Sequence, residues 1–128
     1  MRRAHGLMAA ALLGAFALAA PTAARAGDAA AGAKVFKTQC AECHSVVEGK
    51  DKKGPSLYAT YGAKSGGNAG FIYSDAFRAV ELTWTPETLA TFLATPKKVI
   101  PGNKMKFDGL DDATQRDDLI AYLASMKP

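Results

Sequence analysis

The sequence of 128 residues is poor in the side chains that most often bind metals or catalyse reactions. It contains two cysteines and two histidines, and one of the histidines is at position 5. A structural zinc site needs four nitrogen or sulfur ligands, so beyond the first few residues it would have to recruit a carboxylate. No repeat and no strand-like alternation of apolar and polar residues occurs in the chain. These absences argue against a zinc-stabilised domain, a repeat protein and a sheet protein.

Long hydrophobic runs are also missing, apart from one apolar stretch at residues 7–20. That stretch is short and rich in alanine, and therefore a poor membrane span. It follows a basic start and precedes Ala24-Arg25-Ala26, an order typical of a secretory signal peptide. We expect residues 1–26 to be cleaved on export to the periplasm, leaving one domain at 27–128 with no stable membrane insertion. An uncleaved anchor is the alternative.

A strong excess of charge of one sign is missing from the predicted mature chain. The whole sequence has a net charge of +4, but Arg2, Arg3 and Arg25 precede the predicted cleavage site, leaving 13 basic against 12 acidic residues. Nucleic acid is therefore an unlikely partner. The charges are segregated, and the crowded ones are Lys50, Lys52, Lys53, Lys97, Lys98, Lys104 and Lys106, and Asp108, Asp111, Asp112, Asp117 and Asp118. This asymmetry predicts a salt-sensitive encounter with an acidic protein surface; an ordinary solvated surface is the alternative.

Both cysteines belong to a C-x-x-C-H run at residues 40–44. This spacing is typical of covalent haem attachment. The thiols of Cys40 and Cys43 can add to the two vinyl groups of one porphyrin, and the adjacent His44 is then placed to ligate the iron. Dithiol chemistry or another metal site are the alternatives, but no strand-helix-strand pattern surrounds the motif. We therefore predict one covalent haem c per chain.

The first and last parts of the predicted mature chain have helical periodicity. A helix is predicted over residues 28–39 with Asp28 as its N-cap, and another over 112–126 with Asp111 as its cap. Because glycine destabilises a helix relative to alanine, Gly32 is expected to let a second helix cross closely; a tolerated surface glycine is the alternative. The inward residues of these two helices are expected to be Val35, Phe36, Leu119, Ile120 and Leu123.

Two further helices are predicted in the middle of the chain. A short one runs from residue 74 or 75 to about 78. A longer one begins at Thr85-Pro86, where a capping hydroxyl precedes proline at the first helical position, and ends before Pro96. Its buried residues are expected to be Leu89, Phe92 and Leu93. Residues 97–109 contain two turn pairs with glycine and are predicted to form a loop.

The segment after the haem motif is charged and rich in turn residues. Residues 48–55 are predicted to form an exposed loop that closes with the rigid Gly54-Pro55 turn. The carbonyl of Pro55 is then a candidate acceptor for the free ring nitrogen of His44. Such a bond would fix the imidazole and raise its basicity.

An iron held by His44 needs a sixth ligand or keeps an open position, and this choice separates a carrier from an enzyme. After the predicted cleavage site the chain offers Met105, Met126 and no second histidine. Met105 lies within the loop predicted at 97–109, whereas Met126 is two residues from the chain end, so Met105 is the better ligand. Core filling by this methionine, and ligation by Lys98 or Lys104, are the alternatives.

From residue 27 onward the chain resembles the small class I c-type cytochromes, especially the bacterial cytochrome c2 and mitochondrial cytochrome c group. The likeness covers essentially the whole predicted mature chain. Its landmarks, in order, are Gly32 and Phe36, residues 40–44, Gly54-Pro55, Trp84, Pro96-Lys97-Lys98, residues 100–107 and residues 119–123. The resemblance implies an all-α fold in which the terminal helices cross and loops and short helices surround one haem c. It also implies a soluble monomeric one-electron carrier that is not an enzyme.

The resemblance carries the family's haem contacts onto particular residues. The covalent and axial contacts fall on Cys40, Cys43, His44 and Met105. By the same resemblance, Pro55 orients the imidazole. Tyr73 and Trp84 match positions that bind a haem propionate, and Phe107 matches the residue that shields the haem edge. The departures are Ala63, Phe77, Phe92 and Asn103, in place of a common arginine, asparagine, tyrosine and threonine. The last three usually build a polar network beside the methionine, so their loss bears on the reduction potential and the iron-methionine bond, but not on the ligand set.

The resemblance leaves the redox partners open. Acidic docking faces of a cytochrome bc1-type complex, an oxidase, a photosynthetic reaction centre or a periplasmic dehydrogenase are all compatible with a lysine-rimmed haem edge. A haem enzyme or gas sensor with a labile sixth site is the alternative function. A fixed electron-transfer subunit of a larger dehydrogenase or oxidase is a third hypothesis.

Overall fold

The computed structural model of the protein describes residues 26–126, so the predicted signal peptide lies outside the described residues except for Ala26. Within this range are five helices: α1 (Ala29–Gln39), α2 (Asp75–Ala79), α3 (Pro86–Ala94), α4 (Pro96–Val99) and α5 (Ala113–Ala124). The only β feature there is an isolated bridge between Lys64 and Thr83. The all-α prediction is therefore confirmed. None of the helices at 26–126 is long and apolar enough to cross a membrane.

The helix starts follow the capping residues of the sequence, with one correction. The Asp28 carboxylate accepts hydrogen bonds from the N–H groups of Ala30 and Ala31, at 2.8 and 3.0 Å, and begins α1 as predicted. The predicted cap of the last helix is wrong by one residue. Asp112, rather than Asp111, caps α5, because its carboxylate accepts the N–H of Gln115 at 3.1 Å.

The segment predicted as a loop at 97–109 begins with a helical turn. Pro96 starts α4, which closes when the N–H of Ile100 donates to the Pro96 carbonyl at 3.0 Å. Pro96 and Ile100 are among the most deeply buried side chains of the described chain. Packing therefore stabilises a turn too short to show helical periodicity, and the irregular loop starts only after Val99.

The crossing of α1 and α5 is the main helix contact of the fold. A Cβ atom at Gly32 would overlap the carbonyl oxygen of Asp118 and lie 2.8 Å from the Cβ of Tyr122. The expected close crossing at Gly32 is therefore confirmed. The buried Asp118 also ties the two helices together, because its carboxylate accepts the N–H of Asp28 at 2.8 Å.

Helix α3 packs against α4 and α5 and completes the helical part of the core. The predicted inward residues of α3 and α5 are all buried, and on α1 Phe36 is buried while Val35 is partly buried. The buried apolar side chains are Phe36, Trp84, Leu89, Phe92, Leu93, Ile100, Leu110, Leu119, Ile120 and Leu123. These residues form one cluster beside a large cavity, to which the loops also contribute.

Candidate functional site

The helices and loops enclose a cavity of about 1540 Å³. Its volume exceeds the roughly 300–1,000 Å³ typical of sites for drug-sized ligands, so the cavity can hold a larger group. The structure brings every predicted site residue to this cavity: Cys40, Cys43, His44, Pro55, Tyr73, Trp84, Met105 and Phe107. Of the four departures from the family pattern, Ala63, Phe77 and Phe92 line the cavity. Asn103 is buried and is not part of the lining.

The C-x-x-C-H segment forms a tight turn directly after α1. The N–H of Cys40 donates to the Phe36 carbonyl at 2.8 Å, and the N–H groups of Cys43 and His44 donate back to the Cys40 carbonyl at 3.0 and 2.9 Å. Both thiols are free. Burial, together with the neighbouring Cys43, raises the pKa of Cys40 to about 11. The turn thus brings two thiols and an imidazole to one wall of the cavity.

The His44 imidazole is fixed by the loop that follows it. Its Nδ1 lies 2.7 Å from the carbonyl oxygen of Pro55, which makes Nδ1 the protonated nitrogen and leaves Nε2 with a free lone pair. Gly54 lies against the same ring, since a Cβ there would be 2.8 Å from Nδ1 and 3.0 Å from Nε2. Burial lowers the pKa of His44, although the Pro55 bond opposes this shift. The residue is therefore a neutral, oriented base, as a metal ligand requires.

Met105 is partly buried, and its main chain is held on both sides. Its N–H donates to the side-chain oxygen of Asn103 at 3.0 Å, and its carbonyl accepts from the ammonium group of Lys97, also at 3.0 Å. The other candidate, Met126, is absent from the cavity lining. The thioether of Met105 is thus presented to the cavity by a loop whose backbone is tied down.

A continuous row of aromatic rings lines the cavity. The ring centroids are 5.0 Å apart for Phe71 and Tyr73, 5.9 Å for Tyr73 and Phe77, 6.0 Å for Phe77 and Phe92, and 4.9 Å for Phe92 and Trp84. Such distances are typical of favourable aromatic pairs. The sequence singled out Tyr73 and Trp84 as site residues, but the cavity lining also includes Phe71, which sequence reasoning missed; its only signal was its nearness to Tyr73.

Two polar groups in this wall can still donate into the cavity. The Tyr73 hydroxyl oxygen accepts the N–H of Asn68 at 3.2 Å, which leaves its own proton available. The buried Trp84 lines the same wall and carries an indole N–H donor. Burial also raises the pKa of Tyr73, so its hydroxyl stays protonated. Both are suited to bind an anionic group at the rim of an apolar ligand.

Some of the predicted docking lysines surround the cavity, although several are already hydrogen-bonded. Lys53, Lys104 and Lys106 belong to its lining and are exposed. Lys53 pairs with Glu42 at 2.7 Å, which raises the lysine pKa and lowers the glutamate pKa. Lys52 donates to the Ala41 carbonyl. Positive charge therefore borders the cavity, but Lys52 and Lys53 also form hydrogen bonds that link neighbouring loops.

The residues of the cavity fit a covalently held haem. They supply two thiols for attachment, an oriented neutral imidazole, a thioether and a mainly aromatic wall with two polar donors. This set corresponds to the histidine and methionine ligation known for haem proteins that transfer electrons. No group of three or more histidine, cysteine or carboxylate side chains arranged to bind a bare metal ion occurs in the described part of the chain.

Comparison with known proteins gives a consistent result. A family model described as cytochrome c matches residues 29–127. A cytochrome c from Guizotia abyssinica is 50% identical over 101 residues, covering 78% of this chain and 91% of the relative. A cytochrome c from Gibberella zeae is 48% identical over 98 residues, covering 76% and 92%, and one from Chlamydomonas reinhardtii is 50% identical over 101 residues, covering 78% and 90%.

Proposed function

Because the chain belongs to the cytochrome c family, it is an electron carrier with covalent haem c rather than an enzyme, and we propose that it works in the periplasm with His44 and Met105 as axial ligands. Cys40 and Cys43 are the proposed attachment points. The observation that carries this assignment is that the two thiols, the oriented imidazole and the thioether all line one cavity. The same cavity also contains Pro55, Tyr73, Trp84 and Phe107, for which we propose the supporting roles given by the resemblance.

Bound haem c supplies an iron that gains and loses one electron. The residues of the chain determine how easily this happens. The Pro55 carbonyl accepts from Nδ1 and thereby fixes the tautomer and the orientation of the His44 imidazole. Together, His44 and Met105 would hold the iron, leave it no open position and raise its reduction potential. The aromatic rings give the cavity an apolar wall, and Phe107, which also lines it, has the proposed role of shielding the haem edge. A saturated iron leaves no position for oxygen or peroxide, which favours a carrier over a gas sensor.

The ligand assignment is tested by absorption spectra of the haem-loaded protein. In the oxidised wild type we expect the weak long-wavelength band that reports methionine sulfur bound to ferric haem. Met105→Ala should abolish that band and lower the reduction potential, whereas the matched control Met126→Ala should retain both. A high-spin wild type that readily binds carbon monoxide would instead support a haem enzyme or sensor with a labile sixth site.

The proposed propionate contacts rest on the Tyr73 hydroxyl and the Trp84 indole N–H, both of which belong to residues that line the cavity. Hydrogen bonds to charged groups contribute about 1.5–3 kcal/mol. Trp84→Phe and Tyr73→Phe should each shift the reduction potential and lower the stability of the haem-loaded protein. Unchanged values in both variants would contradict the assignment.

Export is proposed from residues 1–26, which are basic, then apolar, and end in the small-x-small pattern. Asp28 caps α1 only two residues after the proposed cleavage site, so cleavage there would leave the first helix with its cap. The intact mass of the protein from a periplasmic fraction should correspond to a chain that begins at Gly27 with one haem attached. A longer chain retained in the membrane would favour an uncleaved anchor.

Docking to an acidic face of a redox complex is proposed from the lysines around the cavity. The candidate partners are a cytochrome bc1-type complex, an oxidase, a reaction centre or a periplasmic dehydrogenase. Lys104→Glu and Lys106→Glu should slow electron transfer with such a partner and flatten its salt dependence. Lys34→Glu, on the exposed face of α1, is the control with the same change of charge. Equal effects of all three substitutions would exclude a localised docking face.

A further inference from the structure

Asn103 is a buried amide whose hydrogen-bonding groups are used at both ends. Its side chain is 9% exposed. The Nδ2 atom donates to the carbonyls of Pro96, at 3.1 Å, and Ile100, at 2.9 Å, while Oδ1 accepts the N–H of Met105 at 3.0 Å. An asparagine side chain has two donors and one carbonyl acceptor. Each of these groups therefore has a main-chain partner.

The two carbonyls that receive the amide belong to the most deeply buried residues of this region. Pro96 starts α4 and Ile100 follows it, and both side chains are fully buried in the core. The amide group of Asn103 is thereby attached to residues of the core and not to another surface loop. Its oxygen then forms a local turn with the N–H two residues ahead, which links the main chain of Met105 to the same core residues.

The other tie to Met105 is of a different kind. Its carbonyl accepts from Lys97, whose long side chain is exposed and loses rotamer freedom to make the bond. A buried hydrogen bond is also more costly to lose than an exposed one, because its partners are left without water. Of the two side chains that hold the Met105 backbone, Asn103 is therefore expected to contribute more.

We propose that Asn103 is a positioning residue that keeps the Met105 thioether at the iron against competing ligands. The proposal rests on the proposed role of Met105 as sixth ligand. It also gives a physical meaning to the departure at this position. A threonine, the common residue of the family there, has one hydroxyl, so it could accept from Met105 but could not donate to Pro96 and Ile100 together.

Imidazole binding to the oxidised haem-loaded protein tests this role, because imidazole must displace the sixth ligand. Asn103→Ala should bind imidazole about tenfold more tightly than the wild type, a difference well beyond the measurement error. Asn103→Thr, which retains an oxygen for the Met105 N–H, should lie between the two. The control is Ser65→Ala, which also removes a side chain that bonds two main-chain groups, those of Val80 and Leu82, outside the cavity lining. Its imidazole affinity should stay within about twofold of the wild type.

The outcomes separate this proposal from the ligand assignment. If Asn103→Ala and Asn103→Thr bind imidazole as the wild type does, while the wild type has the methionine band, Asn103 has no positioning role and Met105 remains the ligand. If Ser65→Ala tightens imidazole binding as much as Asn103→Ala does, the effect is general loosening and the proposal is wrong. If the wild type lacks the band, the ligand assignment itself fails. Should Asn103→Ala yield no haem-loaded protein, the difference between Asn103→Thr and the wild type decides.

Discussion

The two proposed iron ligands are supported in different ways. His44 is fixed by main-chain groups, since the Pro55 carbonyl holds Nδ1 and Gly54 lies against the ring. It also follows directly after Cys43, one of the proposed covalent attachment points. Met105 has no such neighbour, and its backbone is held by the side chains of Asn103 and Lys97.

This difference determines how substitutions can alter the support of each ligand. The main-chain carbonyl at position 55 is present whichever residue occupies that position. The support of His44 therefore depends on the backbone conformation and is disturbed mainly by added side-chain volume. Side-chain hydrogen bonds can be gained or lost by single substitutions, so the Met105 side can be adjusted in small steps. We therefore expect exchange of ligands to begin at Met105, and the substitutions below are chosen to test the contrast.

Gly54→Ala should have the largest effect, because it adds volume where the His44 ring already lies. The new Cβ would be 2.8 Å from Nδ1 and 3.0 Å from Nε2, so either the ring or the Pro55 bond must move. Overpacking typically costs about 1–3 kcal/mol, and we expect the upper end, together with loss of most of the low-spin spectrum. Chemical unfolding and absorption spectra of the haem-loaded protein measure the two quantities.

The control for this substitution is Gly70→Ala, in which the added Cβ would make ordinary contacts at 3.5 and 3.8 Å with Asn68 and Asp51. Its unfolding free energy and spectrum should be close to those of the wild type. If Gly54→Ala behaved like this control, the His44 side would be more compliant than its main-chain contacts indicate.

Lys97→Ala should have a smaller effect, limited to the Met105 side. It removes the hydrogen bond to the Met105 carbonyl, and a typical hydrogen bond contributes about 0.5–1.5 kcal/mol. Because Lys97 is exposed, we expect the lower part of that range, seen as imidazole binding that is about two- to fivefold tighter. Lys98→Ala is the matched control, since the neighbouring Lys98 is also exposed and its side chain makes no hydrogen bond among the described residues. Equal imidazole affinities in these two variants would show that the Lys97 bond does not restrain the loop.

The same contrast explains how much of the molecule the sequence could predict. The caps at Asp28 and Thr85, the close crossing at Gly32 and the bond from His44 to Pro55 were all accessible, because each depends on a short motif or a fixed period. The predicted α5 cap was one residue too early because two adjacent aspartates, Asp111 and Asp112, fit the capping pattern equally well. Only the bond to the N–H of Gln115 distinguishes them.

The parts that the sequence could not predict depend on contacts between segments. The turn at α4 forms because Pro96 and Ile100 pack into the core, which a four-residue stretch cannot reveal. The substitutions at Phe77 and Phe92 appear in the sequence only as lost polar groups, whereas in the fold they join an aromatic row. At Asn103, likewise, the departure is more than the loss of a threonine hydroxyl. The Asn103 amide donates hydrogen bonds to two carbonyls, and a single hydroxyl could not donate to both.

Lys53→Ala should have the smallest effect, although Lys53 resembles Lys97 in being an exposed lysine that bonds across a loop. Its partner is the Glu42 carboxylate at 2.7 Å, and both side chains are largely in water. Exposed ion pairs are screened and contribute little to stability. The expected changes are a rise of the Glu42 pKa toward its ordinary value, because the lysine now holds it down, and no measurable change in unfolding or imidazole binding. NMR titration and chemical unfolding provide the two readouts. A loss of stability as large as that of Lys97→Ala would mean that side chains also hold the His44 side, and the contrast between main-chain and side-chain support would fail.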